Sequence, residues 1–191
     1  MTFPIVEKSI ETEKSDELHC ARLLLLLYPF SVSGKKSTSV DGITKLANLD
    51  FLLRYPTYFQ RLLDLSVNPE RKRDKFDANI KDNERDTVES KMIRFRYGPW
   101  DSRYRRWLAI LTSKDLVRVF MLGNTIYISL TEHGNKVADT LSKNPYFLDT
   151  YFRCQIIYKA VGSKTGTWIK DHIYKTIPEI QKMTWGKEIG Q

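Results

Sequence analysis

Residues 115 to 134 read Asp115-Leu116-Val117-Arg118-Val119-Phe120, Met121-Leu122-Gly123-Asn124, Thr125-Ile126-Tyr127-Ile128-Ser129-Leu130, Thr131-Glu132-His133-Gly134. Two alternating runs of β-branched and aromatic residues around a Gly-Asn pair predict a β-hairpin. Thr131 then predicts an N-cap, opening a helix that carries Val137, Ala138 and Leu141. Just upstream, Asp101 is placed to cap a helix in which Tyr104, Trp107, Leu108 and Leu111 recur at helical spacing. Helix, two-stranded wing and a further helix is the order of many winged-helix domains. The expected fold class is therefore α+β, mainly α: a winged-helix-type domain with a hairpin wing and extra N- and C-terminal helices.

Upstream of the capped helix, Lys91-Met92-Ile93-Arg94-Phe95-Arg96-Tyr97 alternates. This predicts a half-buried strand with Ile93, Phe95 and Tyr97 inward and Arg94 and Arg96 on a cationic outer face. Gly98-Pro99-Trp100 is expected to turn the chain. Before it, residues 68–90 mix both charges, with only Phe76, Ala78, Ile80 and Val88 as apolar relief. Too little can be buried there to offset ordering entropy, which predicts a mobile insertion. Residues 1–15 are polar and read as a flexible arm. The domain proper is expected over 16–144.

Within that span, Leu18 and the run Leu23 to Leu27 predict a helix buried on most sides, ended by Pro29. Residues 31–39 read as a loop. Asp41 is placed to cap a second helix, which must end before Pro56, and a third is expected from Thr57 to about Leu65. The i, i+4 pair Asp50 and Arg54 has two readings. It is a surface pair worth a few tenths of a kcal/mol, or it is drawn partly inside by Leu49, Phe51, Leu52 and Leu53, fixing how helices cross. After residue 144, two helices are expected, one dominated by Tyr146, Phe147, Tyr151, Ile156, Ile157 and Tyr158, the other striped by Trp168, Ile169, Ile173 and Ile177. This helical extension, 145–191, is expected to lie on the domain or on a partner.

The chain has 191 residues and a formal net charge of +8, and the excess is not evenly spread. Residues 91–143 carry 10 basic against 4 acidic residues, while residues 1–67 carry 8 of each. A focused basic patch attracts polyanions through Coulomb steering and counterion release. The residues assigned to it are Arg94, Arg96, Arg103, Arg105, Arg106, Lys114 and Arg118, with duplex DNA or an acidic protein surface as the contact. Arginine's planar donor fork suits both phosphate and carboxylate. The hairpin tip, Met121 to Thr125, has no positive charge, which argues against a wing that enters DNA alone.

Reactive constellations are missing from the pattern. His19, His133 and His172 lie on different elements without metal-ligand spacing and read as caps or surface groups. Gly34-Lys35-Lys36-Ser37 has neither the earlier glycine nor the preceding strand of a phosphate loop. Cys20 and Cys154, among apolar neighbours, read as buried free thiols. No catalytic residue, metal or cofactor is assigned, and the expectation is a non-enzymatic chain. No run approaches the roughly 20 apolar residues of a membrane span, and no secretory signal opens the sequence, so a cytoplasmic location without membrane contact is expected.

Two segments also resemble a known family. Lys45-Leu46-Ala47-Asn48-Leu49-Asp50-Phe51-Leu52-Leu53-Arg54-Tyr55-Pro56 and Glu89-Ser90-Lys91-Met92-Ile93-Arg94-Phe95-Arg96-Tyr97-Gly98-Pro99-Trp100-Asp101 are similar to the small middle component of bacterial ABC-three-component defence systems of the Lamassu type. The resemblance spans roughly Leu18 to Leu141 and skips the charged insertion. Phe95 stands where that pattern has tyrosine, and Asn48 where lysine is more usual. It implies a structural role for Asp50, Arg54, Tyr97, Gly98, Pro99, Trp100 and Asp101. It also implies an accessory role in anti-phage or anti-plasmid defence, bridging an SMC-like ATPase, an effector subunit (often a nuclease) and DNA. The residues allow two other readings: a winged-helix transcription regulator of the MarR or PadR kind, and an adaptor without DNA contact.

Overall fold

The computed structural model describes residues 15–34, 38–66, 77, 78, 80 and 91–190. The expected N-terminal arm, apart from Ser15, lies outside them, as do Lys35 to Ser37 and most of the 68–90 insertion. The described residues form a mixed α+β structure, mainly helical. No helix among them is long and apolar enough to cross a membrane.

The first helix, α1 (Asp16–Val32), is capped by Ser15, whose hydroxyl accepts the Leu18 N–H at 3.3 Å. Leu23 to Leu27 are all buried, so this helix runs through the centre of the molecule. Contrary to expectation, Pro29 does not end it. Proline removes one ladder bond, but Phe30 beyond it is buried against the later helices, and tertiary burial outweighs that local loss. A three-residue strand, β1 (Ser39–Asp41), follows at the end of the expected loop. Helix α2 (Ile43–Arg54) starts from Gly42 without a side-chain cap. Asp41 instead accepts from Lys45 Nζ at 2.6 Å. Helix α3 (Pro56–Ser66) begins at the proline itself, where no N–H is needed.

Strands β2 (Ile93–Phe95) and β3 (Gly98–Trp100) form a tight antiparallel pair. The turn is therefore Arg96-Tyr97, two residues before the expected Gly98-Pro99-Trp100. The facing of β2 is also reversed: Met92 and Arg94 are buried, while Phe95 and Tyr97 are 40% and 52% exposed. A further bond decides this. The chain terminus lays an extended segment along β2, with Arg94 N–H donating to Lys187 O and Gly186 N–H to Arg94 O, each at 2.8 Å. Ile189, held the same way on Met92 O, is fully buried.

Helix α4 (Tyr104–Ser113) buries Tyr104, Trp107, Leu108 and Leu111, the expected stripe. Asp101 acts just ahead of it, its carboxylate accepting the Arg103 N–H at 3.0 Å. The helix closes with Leu116 N–H on Leu111 O and Asp115 N–H on Thr112 O, while Asp115 takes a left-handed φ of 52°. This Schellman arrangement satisfies the last carbonyls and buries Leu116 against the stripe. A β-hairpin follows as β4 (Val117–Leu122) and β5 (Thr125–Leu130), closed by Gly123-Asn124. β1 adds to the other side of β5, giving the sheet order β1-β5-β4 with β4 at the open edge.

Thr131 caps α5 (Glu132–Ser142) through the Gly134 N–H at 2.9 Å, as expected. Gly134 lies directly on Leu116 O, leaving no room for a side chain. The tail contains three helices rather than two: α6 (Leu148–Val161), α7 (Gly166–Thr176) and α8 (Pro178–Lys182). Ile157, Ile169, Ile173, Ile177 and Ile180 join the same core as α1 and α2, so the tail lies on the domain. One part of the expected mobile insertion is also anchored. Ala78 is buried, its N–H donating to Gln60 Oε1 at 2.9 Å and its carbonyl accepting from Arg153 Nε at 3.1 Å.

Candidate functional site

Residues from α2 and from the start of α4 meet in the interior. Asp50 on α2 is fully buried and receives Arg22 Nε at 2.7 Å, Arg54 Nε at 3.0 Å and the Tyr104 hydroxyl at 2.6 Å. Arg54 reaches on to Asp101 with Nη1 at 3.0 Å, and Arg103 closes the far side of Asp101 with Nη2 at 2.8 Å. Arg22 Nη1 also donates to His19 Nδ1 at 2.7 Å, and the His19 ring lies 4.5 Å from that of Trp107. Three guanidiniums and two carboxylates thus tie α1, α2 and the start of α4 together. Of the two readings for Asp50 and Arg54, the surface pair is excluded. His19, expected as a cap or surface group, is a buried member of the network.

The electrostatics follow from this geometry. Burial alone would raise the Asp50 carboxyl, but the charges of Arg22 and then Arg54 outweigh it and hold it well below the ordinary carboxylate range. Burial likewise works against Asp101, which is lowered on balance by its bonds from Arg103 and the charge of Arg54. Burial next to Asp50 pushes the Tyr104 hydroxyl well above its usual value. These groups stay in one protonation state across the ordinary pH range, as a structural lock requires. Gly98 completes the arrangement. Its φ is +122°, and a side chain there would collide with Asn48 Oδ1, while Asn48 Nδ2 donates to Gly166 O at 3.3 Å. Pro99 is buried, Trp100 packs edge-on against Tyr104 at 5.3 Å, and Tyr97 is exposed under Arg96.

The basic set divides. Arg94 is only 8% exposed, its guanidinium donating to Phe95 O and lying 5.0 Å over the Tyr174 ring. Its assignment to a contact face is corrected, because β2 presents that side inward. Arg103 is corrected as well: it is bound to Asp101 and lies 4.9 Å over Trp107. Arg96 is exposed on the β2–β3 turn, apart from α4 in sequence and fold. The remainder form a run along α4 and into the β4–β5 hairpin. Arg105 and Arg106 are exposed on α4, Lys114 sits at its end, and Arg118 follows on β4. Arg106 pairs with Asp16 at 2.6 Å while its side chain stays 71% exposed. Among the described residues, Arg105, Lys114 and Arg118 form no ion pair. The rest of the exposed face of α4 is Ala109, Thr112 and Ser113, with Ser102 just ahead of the helix, small enough to let a partner surface approach.

Elsewhere, a cleft of about 400 Å3 is lined by Asp41, Lys45, Tyr127, Tyr158 and Lys164 among others, but its Lys45 is neutralised by Asp41. Cys20 and Cys154 are free thiols, and burial raises Cys20 to about 11 and Cys154 further, as expected of unreactive packing groups. No group of three or more His, Cys, Asp or Glu that could hold a metal occurs among the described residues. Arg22, the Tyr104 hydroxyl and the exposed apolar row of the β4–β5 hairpin were not legible as site features in the sequence. Arg22 had no local signal, since its partner lies 28 residues away. The hairpin row was legible as strand, but its exposure depends on what covers the sheet. No family model, curated protein or solved structure matches the chain.

Proposed function

We propose that this chain is a non-catalytic accessory subunit of an SMC-type anti-phage or anti-plasmid complex, contacting duplex DNA through the outer face of α4. One observation carries the reading. The helix immediately before the wing is anchored by a rigid aromatic stripe and presents Arg105 and Arg106 beside small residues, with Lys114 at its end. That combination suits a helix laid against a groove: guanidiniums meet phosphate or guanine, and Ala, Thr and Ser permit close approach. The pair between Arg106 and Asp16 does not oppose this, since an exposed ion pair contributes at most about 1 kcal/mol and yields to phosphate. The order of α1, β1, α2, then α4 and the three-stranded wing sheet supports the winged-helix-type reading. The resemblance of the Asp50–Arg54 and Tyr97–Asp101 segments supports the assembly. An SMC-like ATPase and an effector are the partners proposed.

The test is co-purification from the native operon together with DNA binding by the resulting assembly. Binding to a labelled duplex should weaken steeply with salt, and Arg105→Glu with Lys114→Glu should weaken it further. A stable homodimer preferring palindromic DNA would overturn the proposal in favour of a MarR- or PadR-like regulator. An assembly whose DNA affinity ignores both substitutions would remove α4 from the interface.

A further inference from the structure

The hairpin carries a second surface, which shares only Lys114 with the proposed DNA face. Gly42 N–H donates to Ile126 O, so the even-numbered residues of β5 direct their backbone groups toward β1. Thr125, Tyr127 and Ser129 therefore face β4, where they pair with Leu122, Phe120 and Arg118. By alternation, Val117, Val119 and Met121 point their N–H and C=O groups out of the sheet. The bond from Thr131 N–H to Leu116 O agrees with this phase. β4 has no strand beyond it among the described residues.

Side chains make this edge unusual. Val119, Phe120, Met121 and Leu122 are 39%, 37%, 65% and 63% exposed, so both faces of the strand end are apolar and open. Phe120 stacks on Tyr127 at 5.5 Å, which stiffens the outer face. Natural edge strands are normally blunted by lysines, prolines, bulges or a covering element. Between Val119 and Leu122 none of the first three is present. At the root of the strand stand Arg118 and Lys114, which form no ion pair among the described residues.

We infer that the open edge of β4 is a docking site for a β-strand of a different protein, one that alternates apolar residues and ends in acidic ones. Exposed N–H and C=O groups supply the ladder, and the apolar row supplies pockets for alternate side chains. Charge selects the occupant. An added antiparallel strand brings its C-terminal end to Arg118 and Lys114, so carboxylates there gain two cations. A second copy of this chain, itself at +8, brings a like-charged body instead.

The test uses the full chain and a fluorescein-labelled peptide of sequence Thr-Val-Thr-Val-Thr-Val-Glu-Glu, read by fluorescence anisotropy. Binding should occur and should newly protect the Val119 and Met121 amides from hydrogen exchange, while those of Arg118 and Phe120 are protected already. Val119→Pro removes an outward N–H without touching the β4–β5 ladder and should weaken binding roughly tenfold. Met121→Pro gives a second such variant, and each is first checked for an unchanged thermal unfolding curve. Replacing the two glutamates by lysines should abolish binding, whereas Arg105→Glu should leave it intact, separating this site from the proposed DNA face. No binding to the wild-type chain would overturn the inference, as would binding that survives both proline variants. Light scattering showing a dimer that Val119→Pro dissociates would overturn it in favour of self-pairing.

Discussion

The interior of the Asp50–Asp101 network and the outer face of α4 are built from the same residue type, yet they do opposite things. Arg22 and Arg54 are withdrawn from water and paired with carboxylates, while Arg105 on α4, two residues from the Asp101-bound Arg103, points outward. A charge taken out of water requires fixed partners, and the pair then specifies how elements cross more than it adds net stability. A charge left in water costs little and stays available to another molecule. Sequence proximity therefore says nothing about which kind an arginine is. Arg103, held by Asp101 while partly exposed, lies only two positions from Arg105, which is left in solvent.

Substitution sharpens the contrast, and the largest effect is expected inside. Asp50→Ala leaves two guanidiniums buried without their shared carboxylate and should destabilise the fold by about 3–5 kcal/mol, read from urea unfolding. A change below 1 kcal/mol would mean water reaches the network.

Acid should probe the same region without mutation. Asp50 and Asp101 are lowered in the folded state, so their contribution is complete above the unfolded carboxylate value of about 3.9 and is lost as pH falls through their folded values. Stability should therefore decline below about pH 4, with a shallower decline in Asp50→Asn. A pH-independent melting temperature between about pH 5 and 2 would contradict the network.

Gly98→Ala tests the contact between β3 and α2. It places a side chain at a left-handed φ and against Asn48, and should cost about 1–3 kcal/mol, measured by thermal unfolding. A neutral outcome would show that the β2–β3 turn can relax.

The smallest stability effects belong to the outer face. Arg105→Glu should move the unfolding midpoint by no more than about 0.5 kcal/mol, and Arg106→Ala, which frees Asp16, by at most about 1 kcal/mol. Large unfolding in either would place that arginine with Arg54 rather than outside. Arg103→Ala should fall between, because it holds Asp101 yet remains partly exposed.

Much of the architecture was legible in local pattern. The stripe Tyr104-Trp107-Leu108-Leu111, the hairpin around Gly123-Asn124 and the Thr131 cap each depend on neighbours within a few positions, so periodicity and cap chemistry suffice for them. The misreadings share the opposite property. β2 alternates in a way that fits either facing, and the chain terminus, about ninety residues away, chose the one that buries Arg94. Pro29 signals a stop, but burial of Phe30 against Tyr158 of α6 carries α1 past it.

Sequence alone determined where apolar periodicity runs and that the basic excess sits in residues 91–143, because composition and spacing are properties of the chain itself. Only the tertiary structure decided which of those cations remain in solvent. An ion's burial depends on a carboxylate brought from a distant segment, and Asp50 meets Arg22 and Tyr104 only when three helices close around them.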